Sequence, residues 1–314
     1  MIDFSSSLNF LKPNIQIDYS SFDTIKEHNY KKLLTLLAKK YNLSKSKIEL
    51  YNGYSSSIYS ILKFLDLKYC FIYKPCELEY QKAAINLGYE LRAINRFENI
   101  YLPIKEKSVV IFMNPSFLDG TYYELDKLFE YWVSKDARII IDESFLDYCN
   151  LKSKVEDIEK YENLYVIKDF SRYFSNNLLN VSSIFSSEEN IKKLRKYEPS
   201  SKLSIYDIKY LEESLKDEKF KTISNSVNIK NRIELENAFF ATGLVDIVFQ
   251  SSSNSLLIKL KDEVDVESLQ NKFKQKNINI LTCAKYDFLD EFYINIYVNS
   301  KDKIEKLKEV LDVI

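Results

Sequence analysis

The run VVIFM at 109–113 is apolar at every position. A strand with one wet face alternates, whereas a strand buried on both faces does not. Strands of the second kind belong to parallel sheets covered by helices on both sides. The runs RIIID (138–142), LYVI (164–167) and YCFIY (69–73) read as further strands, and IELY (48–51) is a short strand ending at Asn52-Gly53. Helical spacing lies between them. Residues 24–41 place Ile25, Leu33, Leu34, Leu37 and Tyr41 on one face behind a cap at Asp23, and Ser55 is the expected cap of a helix through ILKFL (61–65). Further helices are expected at 77–87, stopping at Gly88, and at 122–134, with Trp132 in the core. Strand–helix alternation of this kind predicts an α/β fold: a mainly parallel sheet with helices on both faces.

Near residue 218 the rhythm changes. A long helix over 224–243 ends at Gly243, followed by the strand SLLIKL (255–260), a helix at 264–275, a strand at 292–298 and a helix from 301. This reads as a smaller α+β C-terminal domain. The expected organisation is an N-terminal arm over 1–24, a large α/β domain over 25–218 and a small α+β domain over 219–314.

Charge narrows the function classes. Lys and Arg total 45 against 46 acidic residues, so no broad electrostatic pull toward nucleic acid or an anionic membrane is expected. No stretch approaches the roughly 20 apolar residues of a membrane span, and the N-terminus has no signal-peptide pattern. A cytoplasmic protein is the expectation. The four cysteines form no CxxC pair and are expected as reduced thiols. His28 is the single histidine, on an expected surface helix, which leaves no evident zinc site and no expected catalytic role for it.

In a doubly wound sheet, ligands bind at the carboxyl ends of the strands. Asn52-Gly53-Tyr54-Ser55-Ser56, Asn114-Pro115, Asp142-Glu143 and Ser171-Arg172 all fall there. Asp142 closes an isoleucine run and needs a cationic or hydrogen-bonding partner. That partner could be a ligand's ring nitrogen or a metal, or the carboxylate could simply cap a helix or pair with a lysine. Ser55 and Ser56 open a helix and could hold a phosphate or serve only as caps. Lys168 and Arg172 flank a strand end as an anion site or as surface charge.

Read in order, these segments resemble the class I/II aminotransferases of fold type I, histidinol-phosphate aminotransferase and threonine-phosphate decarboxylase in particular. The resemblance covers nearly the whole chain. IDFSSSLNFLKP (2–13) is similar to the "DFSxNxNPxGP" arm, YNGYSSSI (51–58) to "GNGSxExI", and KPCELEYQKAA (74–84) to "PTYxxYxxAA". MNPSFLDG (113–120) is similar to "NPNNPTG", IIIDESFLDY (139–148) to "VVVDEAFxDF", and KDFSRYFSNNLLNVSSIF (168–185) to "RSFSKxxGLxGLRxGY". SSSNSLLIKL (251–260) and FYINIYVN (292–299) resemble "xxANFLLVxL" and "YxRIxxGT".

The resemblance implies pyridoxal phosphate as cofactor, a small amino acid or phosphate-bearing substrate, and a homodimer. It also implies residue roles, and most of them are altered. The lysine that joins the cofactor aldehyde is Arg172, which has no free amine. The phosphate-clamping arginine is Asn180, the asparagine on the ring hydroxyl is Phe117, and the aromatic that stacks on the ring is Glu77. The arginine for the substrate carboxylate is Asn295. Asp142, the partner of the ring nitrogen, is kept, and Ser171 and Ser55 keep hydroxyls for the phosphate. A charged hydrogen bond is worth roughly 1.5–3 kcal/mol, so these losses argue against normal cofactor retention. The expectation is a degenerate member of the family with weak or no transaminase activity. The alternatives are an enzyme using a displaced lysine, Lys168 before Lys74 or Lys12, or a non-catalytic homodimer that binds an anion or small molecule through Arg172, Lys168, Ser55 and Asp142.

Overall fold

The computed structural model describes residues 1–17, 20, 30–174 and 178–312. The chain opens with a short strand, β1 (Ile2–Asp3), before helix α1 (Lys31–Lys40). Ile25, His28 and the expected cap Asp23 lie outside the described residues. Next come β2 (Ile48–Asn52), α2 (Tyr54–Leu65), β3 (Tyr69–Lys74), α3 (Leu78–Asn86), β4 (Glu90–Asn95) and β5 (Val109–Met113). Then follow α4 (Asp126–Ser134), β6 (Arg138–Asp142), β7 (Leu164–Asp169), a one-turn helix α5 (Phe170–Tyr173) and β8 (Val181–Phe185).

Strands β2 to β8 form one seven-stranded sheet in the order β2-β8-β7-β6-β5-β3-β4. Only β8 runs against its neighbours; the pairs from β7 through β4 are parallel. The α/β expectation therefore holds. Val109–Met113 and Ile139–Asp142 are buried throughout, because helices cover both faces.

Three helices follow, α6 (Glu188–Arg195), α7 (Ile205–Ser214) and the long α8 (Glu218–Ala241), which starts earlier than its apolar pattern because Asp217 caps it. A smaller four-stranded antiparallel sheet has the order β12-β13-β10-β9, from β9 (Val245–Val248), β10 (Ser255–Leu260), β12 (Leu281–Thr282) and β13 (Tyr293–Tyr297). Helices α9 (Val266–Gln275) and α10 (Lys301–Leu311) pack with it around a second core that includes Leu256, Phe273 and Ile304. A short strand β11 (Ile278–Asn279) pairs with β1, which ties the arm to this lobe. Among the described residues, no helix is long and apolar enough to cross a membrane.

One helix start differs from expectation. Gly53, not Ser55, stands at the N-cap of α2. Its φ of +86° suits glycine, and a Cβ there would collide with the Asn180 side chain. Ser55 and Ser56 therefore lie inside the first turn and are exposed.

Candidate functional site

Strands β6 and β7 lie side by side with Asp142 opposite Ile167. Side chains alternate along a strand, so Asp142 and Asp169 project from one face and Glu143 and Lys168 from the other. At the end of β7 the chain turns directly into α5. Asp169 caps that turn, accepting from the Ser171 amide at 3.0 Å and the Ser171 hydroxyl at 2.5 Å.

Arg172 sits in that turn and is fully engaged. Its Nε lies 3.0 Å from Asp169 Oδ2, its Nη2 lies 2.5 Å from Glu77 Oε1, and its Nη1 donates to Ser7 Oγ at 2.7 Å. The guanidinium also packs on the rings of Tyr54 and Phe145, 5.3 Å from each centroid. Burial works against its charge, but the carboxylates of Glu77 and Asp169 outweigh burial and hold the group well above its usual range. Burial raises the Glu77 carboxyl, and Arg172 only partly offsets that. The Arg172 carbonyl accepts from the Asn9 amide at 2.9 Å and the Tyr148 hydroxyl at 3.0 Å, so the N-terminal arm lies over this corner.

Asp142 is fully buried. Its Oδ2 accepts from the hydroxyls of Tyr54 and of Tyr80, the latter at 2.7 Å, and its Oδ1 accepts from the Ser144 amide at 2.8 Å. The two phenol rings meet edge to face at 6.0 Å. The carboxylate is thus satisfied by three donors from its own chain.

The other expected residues are dispersed. Lys168 is on the opposite face, where its Nζ lies 2.8 Å from Glu143 Oε2, with both side chains 2% exposed. Glu143 also accepts from the Ser153 hydroxyl and the Lys154 amide, each at 2.5 Å. The displaced-lysine expectation is therefore corrected: alternation along β7 turns Lys168 away from Asp142. Lys168 thus faces away from Arg172 and Asp142, and Ser55 is exposed on α2. Lys74 is buried and bonded to Gln81 and Asp287, and Lys12 is exposed.

Asn180 donates through Nδ2 to Asn52 Oδ1 at 2.7 Å, which closes the turn around Gly53. Phe117 is buried against Phe145 and Tyr286, with centroids 6.0 and 5.7 Å away. Asn295 is buried on β13, where its Nδ2 bonds the Leu118 carbonyl at 2.7 Å and Ser255 Oγ at 2.8 Å. It fastens the small lobe to the 114–121 turn. The same turn closes at Gly120, whose φ of +68° and close approach to Ser251 and Ser253 leave no room for a Cβ.

Tyr80, Ser7 and Asp169 were not singled out from the sequence, and Tyr54 was named only as a member of the 52–56 motif. Tyr54 had a signal, since it stands where "GNGSxExI" has serine. Ligand pockets usually run to about 300–1,000 Å³. The hollow lined by Cys76, Glu77 and Tyr286 leaves no space for a water-sized sphere. A cleft of about 600 Å³ lies elsewhere, lined by residues including Tyr30, Ile48, Pro199 and Lys202. Among the described residues, no group of three or more His, Cys, Asp or Glu could hold a metal ion.

No family model matches the chain. The histidinol-phosphate aminotransferase of Methanosphaera stadtmanae is 26% identical over 210 residues, 66% of this chain and 57% of that protein. That of Francisella philomiragia is 25% identical over 308 residues, 90% of this chain and 81% of the relative. The solved histidinol-phosphate aminotransferase of Clostridium acetobutylicum superposes with a TM-score of 0.86 at 20% identity, over 100% of this chain and 98% of that one. The L-threonine-O-3-phosphate decarboxylase of Porphyromonas gingivalis gives 0.84 at 17%, over 100% and 99%. The Sinorhizobium meliloti histidinol-phosphate aminotransferase, solved in complex with pyridoxal-5'-phosphate, gives 0.81 at 11%, over 99% and 91%. The chain is similar in sequence to histidinol-phosphate aminotransferases and has the fold of the class I/II, fold type I, pyridoxal-phosphate-dependent aminotransferases.

Proposed function

We propose that this chain keeps the aminotransferase fold without aminotransferase chemistry, as a degenerate family member. The observation that carries the reading is the Arg172–Glu77 ion pair. By resemblance, these positions hold the lysine that joins the cofactor and the aromatic that stacks on it. Here the two side chains join each other across the site.

The residues present do not fit pyridoxal phosphate. Arg172 has no free amine, and its three nitrogens are each engaged by the chain's own oxygens. Asn180, at the phosphate-clamp position, bonds Asn52. Phe117 and Asn295, at the ring-hydroxyl and substrate-carboxylate positions, are packed or bonded internally. Losing two or three charged hydrogen bonds removes several times about 1.5–3 kcal/mol of cofactor binding, and each ~1.4 kcal/mol is tenfold in affinity.

An assay with histidinol phosphate or threonine phosphate, with pyridoxal phosphate added, tests the reading. The expected result is turnover no faster than pyridoxal phosphate gives free in buffer. Enzyme-dependent turnover that scales with protein concentration overturns it.

A further inference from the structure

The Tyr54 phenol lies between the two groups that the family devotes to its cofactor. Its hydroxyl donates to Asp142 Oδ2, and its ring face receives the Arg172 guanidinium at 5.3 Å. By resemblance, Asp142 is the partner of a pyridine nitrogen and Arg172 stands for the residue bonded to the same ring's substituent. The Tyr54 ring therefore occupies the space beside Asp142, with its hydroxyl edge toward the carboxylate and its face toward the guanidinium. Tyr80 fixes the arrangement from the side, sharing Asp142 and meeting Tyr54 edge to face.

We propose that Tyr54 is an internal ligand. Its ring takes the place of a pyridine between Asp142 and Arg172, so the chain closes its own site. This rests on the reading given under "Proposed function" and deepens it: that reading says the chemistry is lost, and this one says which side chain fills the room. A further observation agrees. Asp142, buried completely, is left with no need of an outside donor, because Tyr54, Tyr80 and Ser144 supply three. The ligand class that fits the vacated space is a protonated or hydrogen-bond-donating pyridine, held by the carboxylate of Asp142.

The probe is pyridoxine 5'-phosphate, which carries the ring without an aldehyde and so needs no lysine. Titration calorimetry and thermal melting are run on the wild type, Tyr54→Ser and Tyr54→Phe, with Tyr54→Ala as a replacement should the serine variant not fold. The wild type and Tyr54→Phe, which retains the ring, are expected not to respond. Tyr54→Ser is expected to bind at least about tenfold more tightly than wild type, with a ligand-dependent rise in melting temperature that Asp142→Asn abolishes. A folded Tyr54→Ser or Tyr54→Ala that binds no better than wild type overturns the inference and leaves the loss of chemistry untouched. Tyr54→Phe binding as well as Tyr54→Ser also overturns it, since the ring would then not be the obstacle. Wild type that binds pyridoxal phosphate itself, with visible absorbance, overturns the reading beneath both.

Discussion

Arg172 Nη2 and Glu77 Oε1 lie 2.5 Å apart, with side chains 15% and 16% exposed. Neither residue is stable alone in that place. Arg172→Ala leaves Glu77 and Asp169 as carboxylates without their cation, and breaking one side of a buried pair costs about 3 kcal/mol or more. Urea unfolding of the single variant should show that loss. Adding Glu77→Ala should recover part of it, and simple additivity of the two variants would contradict the coupling.

Glu77→Gln behaves differently, and pH separates the two effects. Burial raises the Glu77 carboxyl above its ordinary value of 4.5. The folded state therefore holds that proton more tightly than the unfolded state. Stability falls as pH rises from about that ordinary value through the raised folded one, and is level above it. Unfolding midpoints between pH 4 and 7, roughly the window this linkage spans, should fall with pH for the wild type relative to Glu77→Gln. A constant difference across that range would show that Glu77 does not titrate as described.

Lys168 and Glu143 form a buried pair, each side chain 2% exposed, on the far face of β7 from Asp142. Lys168→Met should destabilise by about 3–5 kcal/mol, whereas Lys168→Met with Glu143→Leu should recover much of that. A reduced cofactor adduct on the Lys168 peptide, by mass spectrometry, would contradict the placement.

Gly120→Ala tests how the lobes are fastened. The residue has φ +68° and its Cα faces Ser251 and Ser253, so the variant should lose about 1–3 kcal/mol of stability through backbone strain and collision. Wild-type stability would mean that the 114–121 turn yields easily.

Much of the fold was readable because burial on both faces leaves an unmistakable pattern, as at 109–113 and 138–142. Strand β8 was not readable: its buried Ser182 and Ser183 interrupt the apolar run, and the Ser182 hydroxyl donates to the Gly53 carbonyl at 2.8 Å, 129 residues away in sequence. Edge strand β4 was hidden for the opposite reason, since most of its side chains are exposed or half-exposed. The start of α2 went to Gly53 because its backbone conformation, not a hydroxyl, sets the turn.

At the site, the altered positions could be named from the motifs one by one. How they answer each other could not. Tyr54 and Asp142 are 88 residues apart, and only the sheet brings the phenol to the carboxylate. Lys168 looked close to Arg172 along the chain, but the two-residue period of β7 sends it to the other face.

The most direct test is to incubate the purified protein with pyridoxal phosphate, dialyse away the free cofactor, reduce with borohydride and weigh the intact chain. A colourless protein of unchanged mass is the expected result. One reduced cofactor per chain, mapped to a single lysine, would contradict it.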